Sequence, residues 1–206
     1  MATKSKRRLS NTTTTAPNLS APSANCKLHS TAIIADKAQL TGAHGIEIGE
    51  GTFVHPYARI DAEFGRVVIG RGCIVSEKAV VGSRVSRGVD GGEDEGVVVI
   101  GDGVGIEAGA SVAAIRVGEH CMIEVNARVG AGAVLGRWCR VGACCVVAEG
   151  EVLEDFTVVF GDGRRRIDAV AKGREDVRDA RAKAREMEIE VLRTLVADGS
   201  MRWRGG

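Results

Sequence analysis

VGEHCMIEVNARVGAGAVLGRWCRVGACCVVAEGEVLEDFTVVF, residues 117–160, repeats itself every six positions. Stepping by six from Val117 meets Ile123, Val129, Leu135, Val141, Val147, Leu153 and Val159, all branched aliphatics. The residue after each is usually small or acidic: Gly118, Glu124, Gly130, Gly136, Gly142 and Ala148. The fifth position of the hexad is mostly small: Cys121, Ala127, Ala133, Cys139, Cys145 and Thr157, with Glu151 the exception. Periodicity of this kind identifies a repeat architecture before any single element is assigned.

Upstream the same code runs in triplets: Leu28, Ile34 and Leu40; Ile48, Val54 and Ile60; Ile69, Val75 and Val81; Ile100, Ile106 and Val112. The spacing slips between triplets and not within them, so the larger unit is three hexads. A short flat strand puts one aliphatic inward, a small residue turns the corner, and three hexads close a triangular coil. Stacked coils hydrogen-bond at the spacing of neighbouring strands, about 4.8 Å. No coil buries its face alone, so stability comes from stacking. Six full coils and part of a seventh give a prism roughly 30 Å long.

Composition agrees. The 206 residues include 28 glycines but only four Phe, two Trp and one Tyr, while 44% of the chain is apolar. Aromatics normally supply much of a core's buried area. Their scarcity disfavours an ordinary α/β enzyme or a helical bundle. Abundant aliphatics with a net charge of +1 disfavour disorder of the whole chain. No apolar run approaches the roughly 18 residues that span a bilayer, so neither membrane insertion nor a secretory leader is expected.

Charge is unevenly placed: residues 1–25 carry +4, residues 26–163 carry −7 and residues 164–206 carry +4. An acidic body with basic ends is not a nucleic-acid grip, which needs a contiguous basic face. The Thr/Ser-rich segment 1–25 reads as a disordered, solubilising tail; membrane-surface, nuclear-targeting and transit-peptide roles are the alternatives. Residues 26–163 form the prism, with an excursion near 83–97 that carries Asp90, Glu93, Asp94 and Glu95. Residues 164–206 hold a linker, an amphipathic helix over about 173–198, and a tail. The helix stripe Val177, Ala180, Ala184, Met187, Val191 and Leu195 is expected on a prism face or, failing that, on a partner. Trp203 reads as a small anchor or as part of the tail.

Six cysteines form no C-x-x-C pair. Cys73, Cys121, Cys139 and Cys145 occupy the inward fifth position and read as small core residues in a reducing compartment. His29 and His55 take the second hexad position on different faces, His44 the fifth and His120 the fourth, so no two share a column and neither catalytic residues nor a metal or cofactor site is expected.

Several stretches go beyond the generic code. IGEGTFVHPYARIDAEFGRVVIGRGCIVSEKAVV (48–81), CMIEVNARVG (121–130), VGACCVV (141–147) and VLEDFTVVFGDGRRR (152–166) resemble the dynactin subunit 6 family. The resemblance covers residues 27–166. It implies an all-β, left-handed parallel β-helix of hexapeptide repeats, about six to seven triangular coils, followed by a C-terminal α-helix. It also implies a non-catalytic subunit of the dynactin pointed-end complex, cytoplasmic and associated with the cytoskeleton. There the partners would be the subunit 5 β-helix, an actin-related protein and a large zinc-binding subunit, with dynein and endosomal cargo reached indirectly. Contacts are expected around His55, Pro56 and Tyr57 and at Arg164, Arg165 and Arg166. The competing reading is a hexapeptide-repeat enzyme, an acyltransferase or gamma-carbonic-anhydrase-like homotrimer.

Overall fold

The computed structural model describes residues 25–82 and 96–204. The segment 1–24 and the acidic excursion with Asp90, Glu93, Asp94 and Glu95 lie outside the described residues. The chain winds into a left-handed parallel β-helix of six full coils and a partial seventh. Its three faces carry seven, eight and six strands.

The hexad register governs the stacking. On the first face Leu28, Ile48, Ile69, Ile100, Val117, Leu135 and Leu153 pair in successive coils. The second face aligns Ile34, Val54, Val75, Ile106, Ile123, Val141 and Val159. The third aligns Leu40, Ile60, Val81, Val112, Val129 and Val147. All of them except Leu28 are buried, and Leu28 packs against the same core. Every slip of the sequence spacing falls at the corner from the third face to the first. That corner is crowded: a Cβ on Gly65 would lie 1.9 Å from the Gly96 carbonyl oxygen, so only glycine fits.

The fifth hexad position selects more than small size. Thr52 and Thr157 donate their hydroxyls to the Gly70 and Glu154 carbonyls, each at 2.7 Å. Cys73, Cys121 and Cys139 donate their thiols to the carbonyls of Gly101, Gly136 and Glu154 at 3.1, 3.0 and 3.1 Å. Short side chains with one weak donor thus satisfy corner carbonyls that no strand can reach. Burial pushes the Cys73 thiol up to about 12, which removes it as a nucleophile near neutral pH.

Past the last coil, strand Arg164–Ile167 pairs antiparallel with Thr157–Phe160 and closes that end of the second face, in the stretch read from sequence as a linker. Helix α1 (Ala169–Gly173) is capped by the Asp168 side chain, which accepts from the Ala171 amide at 3.0 Å. Extended Arg174 separates it from α2 (Glu175–Leu195). At 21 residues, α2 is about 31 Å long and so matches the height of the stack.

α2 runs back along the second face toward the first coil. Its Arg185 Nη2 lies 3.5 Å from Met122 Sδ, and Ile189 packs on Phe53 and Ile74 with Leu192, Val196 and Ile33 around them. The expected stripe is therefore not the one that touches the prism. Arg178, Ala182, Arg185, Ile189, Leu192 and Val196 form the inner side, while Met187, Val191 and Leu195 are 62%, 57% and 73% exposed. The outward residues of the second face explain the choice. They are apolar in the first three coils (Ile33, Phe53, Ile74), and then become Gly105, Met122 and Arg140. Only the last turns of α2 need aliphatic contacts; its middle lies on the stem of Arg185.

The end of the chain returns to the first coil. Ala35 bridges Asp198, and the Gly199 amide donates to the Ile34 carbonyl at 2.8 Å. The 3-10 turn Ser200–Trp203 then inserts Trp203, 5% exposed, into the core at the open end. Arg204 Nη2 donates to the Ser30 and Ala32 carbonyls at 2.8 and 3.0 Å. Trp203 thus anchors the end of the chain in the core and is not a solvated tail residue.

Candidate functional site

Two corners carry left-handed backbone at non-glycine residues. Between the second and third faces stand Tyr57, Lys78, Asn126 and Cys144, with φ of 63, 60, 56 and 59°. Between the first and second stand His120, Trp138 and Phe156, at 56, 59 and 64°, continuing a column begun by Gly51, Gly72 and Gly103. Residues at positive φ project from the corner, so the two columns present side chains outward.

His55, Pro56 and Tyr57 occupy the first of these corners in the second coil. His55 sits edge-on to Phe53, with ring centroids 4.9 Å apart and planes at 67°. Pro56 is half-buried, and Tyr57 is 49% exposed. Lys37 Nζ donates to the Tyr57 hydroxyl at 2.9 Å and lies 5.2 Å from its ring centre. Arg164, Arg165 and Arg166 lie in the terminal antiparallel strand. Arg165 is held bidentately by Glu151, with both nitrogens 2.9 Å from the carboxylate oxygens, and Arg166 lies 5.8 Å from the Phe160 ring centre. Six strand spacings, about 29 Å, separate the two groups along one sheet. They are two surfaces and not one site.

The histidines do not converge. His29 Nδ1 meets Thr31 Oγ1 at 2.9 Å and His44 Nδ1 meets the Ala62 carbonyl at 3.0 Å. His120 stacks on Trp138 at 4.3 Å and 18°. Among the described residues no group of three His, Cys, Asp or Glu side chains gathers as a metal site. Burial pulls both His55 and His120 below the ordinary 6.5, against the neighbouring carboxylates that pull upward. The folded chain therefore favours neutral imidazole at both sites. Both states are neutral well above pH 6.5; below it the unfolded chain takes up protons more readily, and stability falls. The melting temperature is expected to drop between about pH 7 and pH 5, and His55→Gln/His120→Gln should flatten that slope. An unchanged slope in thermal melts across this window would remove the two rings as its cause.

Sequence reasoning missed the groove between α2 and the first-to-second corner. It encloses about 630 Å³ and is lined by Arg71, Asp102, His120, Arg185, Ile189 and Arg193 among others. Arg71 grips Asp102 at 2.9 and 2.7 Å, and Arg137 grips Asp155 one coil beyond His120 at 3.3 and 3.1 Å. The Arg137 amide and then its guanidinium hold the Asp155 carboxyl below the usual carboxylate range. These are ties between coils; Glu50, Glu119 and Glu186 also line the groove, outside those ties. The readable signal was the run of outward apolar residues Ile33, Phe53, Ile74 and Met122. On the first face the outward residues include Val68, Val99, Val134 and Val152, and among the described residues the long helix clusters with the second face instead. Val152 is 69% exposed.

This geometry defines a hexapeptide-repeat β-helix with a helix packed along its second face. The family model described as "Bacterial transferase hexapeptide (six repeats)" matches residues 114–149. The chain is 33% identical over 149 residues to dynactin subunit 6 of Xenopus tropicalis, covering 71% of this chain and 73% of that protein. It is 32% identical over 138 residues to the Danio rerio protein of the same name, covering 66% and 70%. The chain belongs to the dynactin subunit 6 family. Among solved structures, a hexapeptide transferase family protein from Anaplasma phagocytophilum superposes with a TM-score of 0.59 at 20% identity, covering 82% of this chain and 92% of that one. A putative acetyltransferase from Bacillus cereus gives 0.51 at 19%, covering 81% and 92%. Identities this low speak for the fold alone.

Proposed function

We propose that this chain is a non-catalytic subunit of dynactin, placed in the pointed-end complex and supporting dynein-driven transport and the attachment of endosomal cargo. The observation that carries the reading is the similarity to dynactin subunit 6 across most of the prism, at 33% identity. The surface chemistry supports it: the first face bears outward valines, which suit a rigid partner such as a second β-helix, and subunit 5 is the partner proposed. The corner at His55, Pro56 and Tyr57 and the strand Arg164–Arg166 are the other proposed contacts, the latter toward acidic partners. The setting is the cytoplasm, on the cytoskeleton, and no described helix is long and apolar enough to cross a membrane.

The test is purification of the tagged full-length chain from its native cell. Co-elution with dynactin subunits at one-to-one stoichiometry is expected, together with loss of that co-elution when Val68 and Val99 are both replaced by Glu. A chain that elutes apart from dynactin as a homotrimer, with acyl-transfer or carbonate-hydration activity, would establish the enzyme reading instead.

A further inference from the structure

The outer side of α2 is an apolar seam, exposed from Ala180 to Thr194 and half-buried at Val177. Val177, Ala180, Ala184, Met187, Val191 and Thr194 recur at alternating spacings of three and four, the a and d positions of a heptad. The side of α2 that touches the prism lies at b and f, so most of the seam is turned outward, with Ala184, Arg181 and Glu188 at the edge of the groove against Met122 and Arg140. Met187, Val191 and the adjacent Leu195 are among the most exposed apolar side chains of the described residues.

The charges beside the seam say what fits it. Asp176, Lys183 and Glu190 hold the g positions; Arg181, Glu188 and Leu195 hold the e positions. If a second α2 lies antiparallel, a pairs with d: Ala184 faces Met187 of the partner subunit, Ala180 faces the partner's Val191, and Val177 faces the partner's Thr194. Each small residue meets a larger one, which keeps the seam filled. In the same register Lys183 faces the partner's Glu190 and Arg181 faces the partner's Glu188. Two-fold symmetry repeats both, giving four opposite-sign pairs and no like-sign pair. A parallel pairing would also oppose unlike charges, but it stacks Ala180 and Ala184 on themselves beside Met187 on Met187, leaving a gap next to a bulge. Arg181 and Glu188 are already held by Asp168 and Arg185 at 2.9 and 3.1 Å, so their heads are fixed before a partner arrives.

We infer that the outer seam of α2 is an interface for a second copy of this chain, joined as an antiparallel helix pair between two prisms. A seam of this length is smaller than the roughly 1,200 Å² of the smallest standard interfaces, so the dimer is weak and concentration-dependent.

Sedimentation velocity of the full-length chain over a concentration series tests this. Self-association is expected, weakened at least about tenfold by Met187→Glu. The helix content and melting temperature of that variant should stay those of the parent, because Met187 touches nothing in its own prism. Lys183→Glu should weaken the dimer as well, by setting like charges together. Lys183→Glu/Glu190→Lys should restore it, which parallel pairing does not predict, since there Lys183 meets the partner's Glu188. A chain monomeric at every concentration, or a dimer indifferent to Met187→Glu, overturns the inference and leaves the seam to a different protein. A dimer not rescued by the double reversal overturns the antiparallel register.

Discussion

Val129→Asp is expected to abolish folding. Val129 is 2% exposed on the third face, between Val112 and Val147 of the neighbouring coils. Its surroundings are aliphatic, with no donor or cation for a carboxylate to reach. Burying an unpaired charge there costs several kcal/mol even after the group takes up a proton. Domains of this size are held by only about 5–15 kcal/mol. The defect cannot be relieved locally, because each coil rests on the two beside it. The matched control is Val146→Asp, one residue before Val147 on the same face and 55% exposed. It should shift stability by less than about 0.5 kcal/mol. Circular dichroism melts of the pair read the inward–outward alternation directly. A Val129→Asp chain that melts with the parent would disprove the register.

Trp203→Ala should have the next largest effect. Trp203 closes the hydrophobic column at the first coil, where Leu28 and Cys26 are otherwise only partly buried. Removing so large a buried side chain costs about 3–5 kcal/mol. For a chain of this length that lowers the melting temperature by roughly 6–20 °C. Amide exchange should show where the loss falls: Cys26–Leu28 and Ile33–Ile34 should open first, while Arg140–Val141 keeps its protection. A shift below about 2 °C, or uniform loss of protection, would mean that Trp203 does not seal the end.

The coils were legible because one inward aliphatic per strand leaves a period-six trace that nothing else in a glycine-rich chain produces. Even the slips were informative: all of them fall at one corner, and the strands on either side stay in register. The helix was legible as a helix but not as a packed one. An apolar stripe looks the same whether it faces its own core or open solvent, and here Met187, Val191 and Leu195 face outward. The face that α2 covers carries the largest outward apolar residues of the prism, Ile33, Phe53 and Ile74, where the other faces carry valines and polar residues. Nothing in SMRWR marks a plug, since the fit of Trp203 depends on α2 having carried the chain back the full height of the stack. His55, Tyr57 and Arg164 to Arg166 were readable as exposed chemistry. The distance between the two groups was not, because it follows from the coil count and not from any local motif. The stacking of His120 on Trp138 escaped notice because the two are eighteen residues apart and meet only through one turn of the helix.

The plug at the first coil also gives the molecule a direction. A β-helix is in principle an open ladder, ready to accept another rung at either end and so to grow into a fibre. Here Trp203, Arg204 and the Asp198 bridge occupy the starting rung, and Arg164–Ile167 turns back across the finishing one on the second face. At that finishing end Val146–Val147, Val152–Leu153 and Arg164–Ile167 are the edge strands of the three faces among the described residues. The C-terminal segment thus obstructs stacking at the Ile33–Ile34 edge of the first coil. The chain can serve as a terminus, ending an assembly at a fixed length.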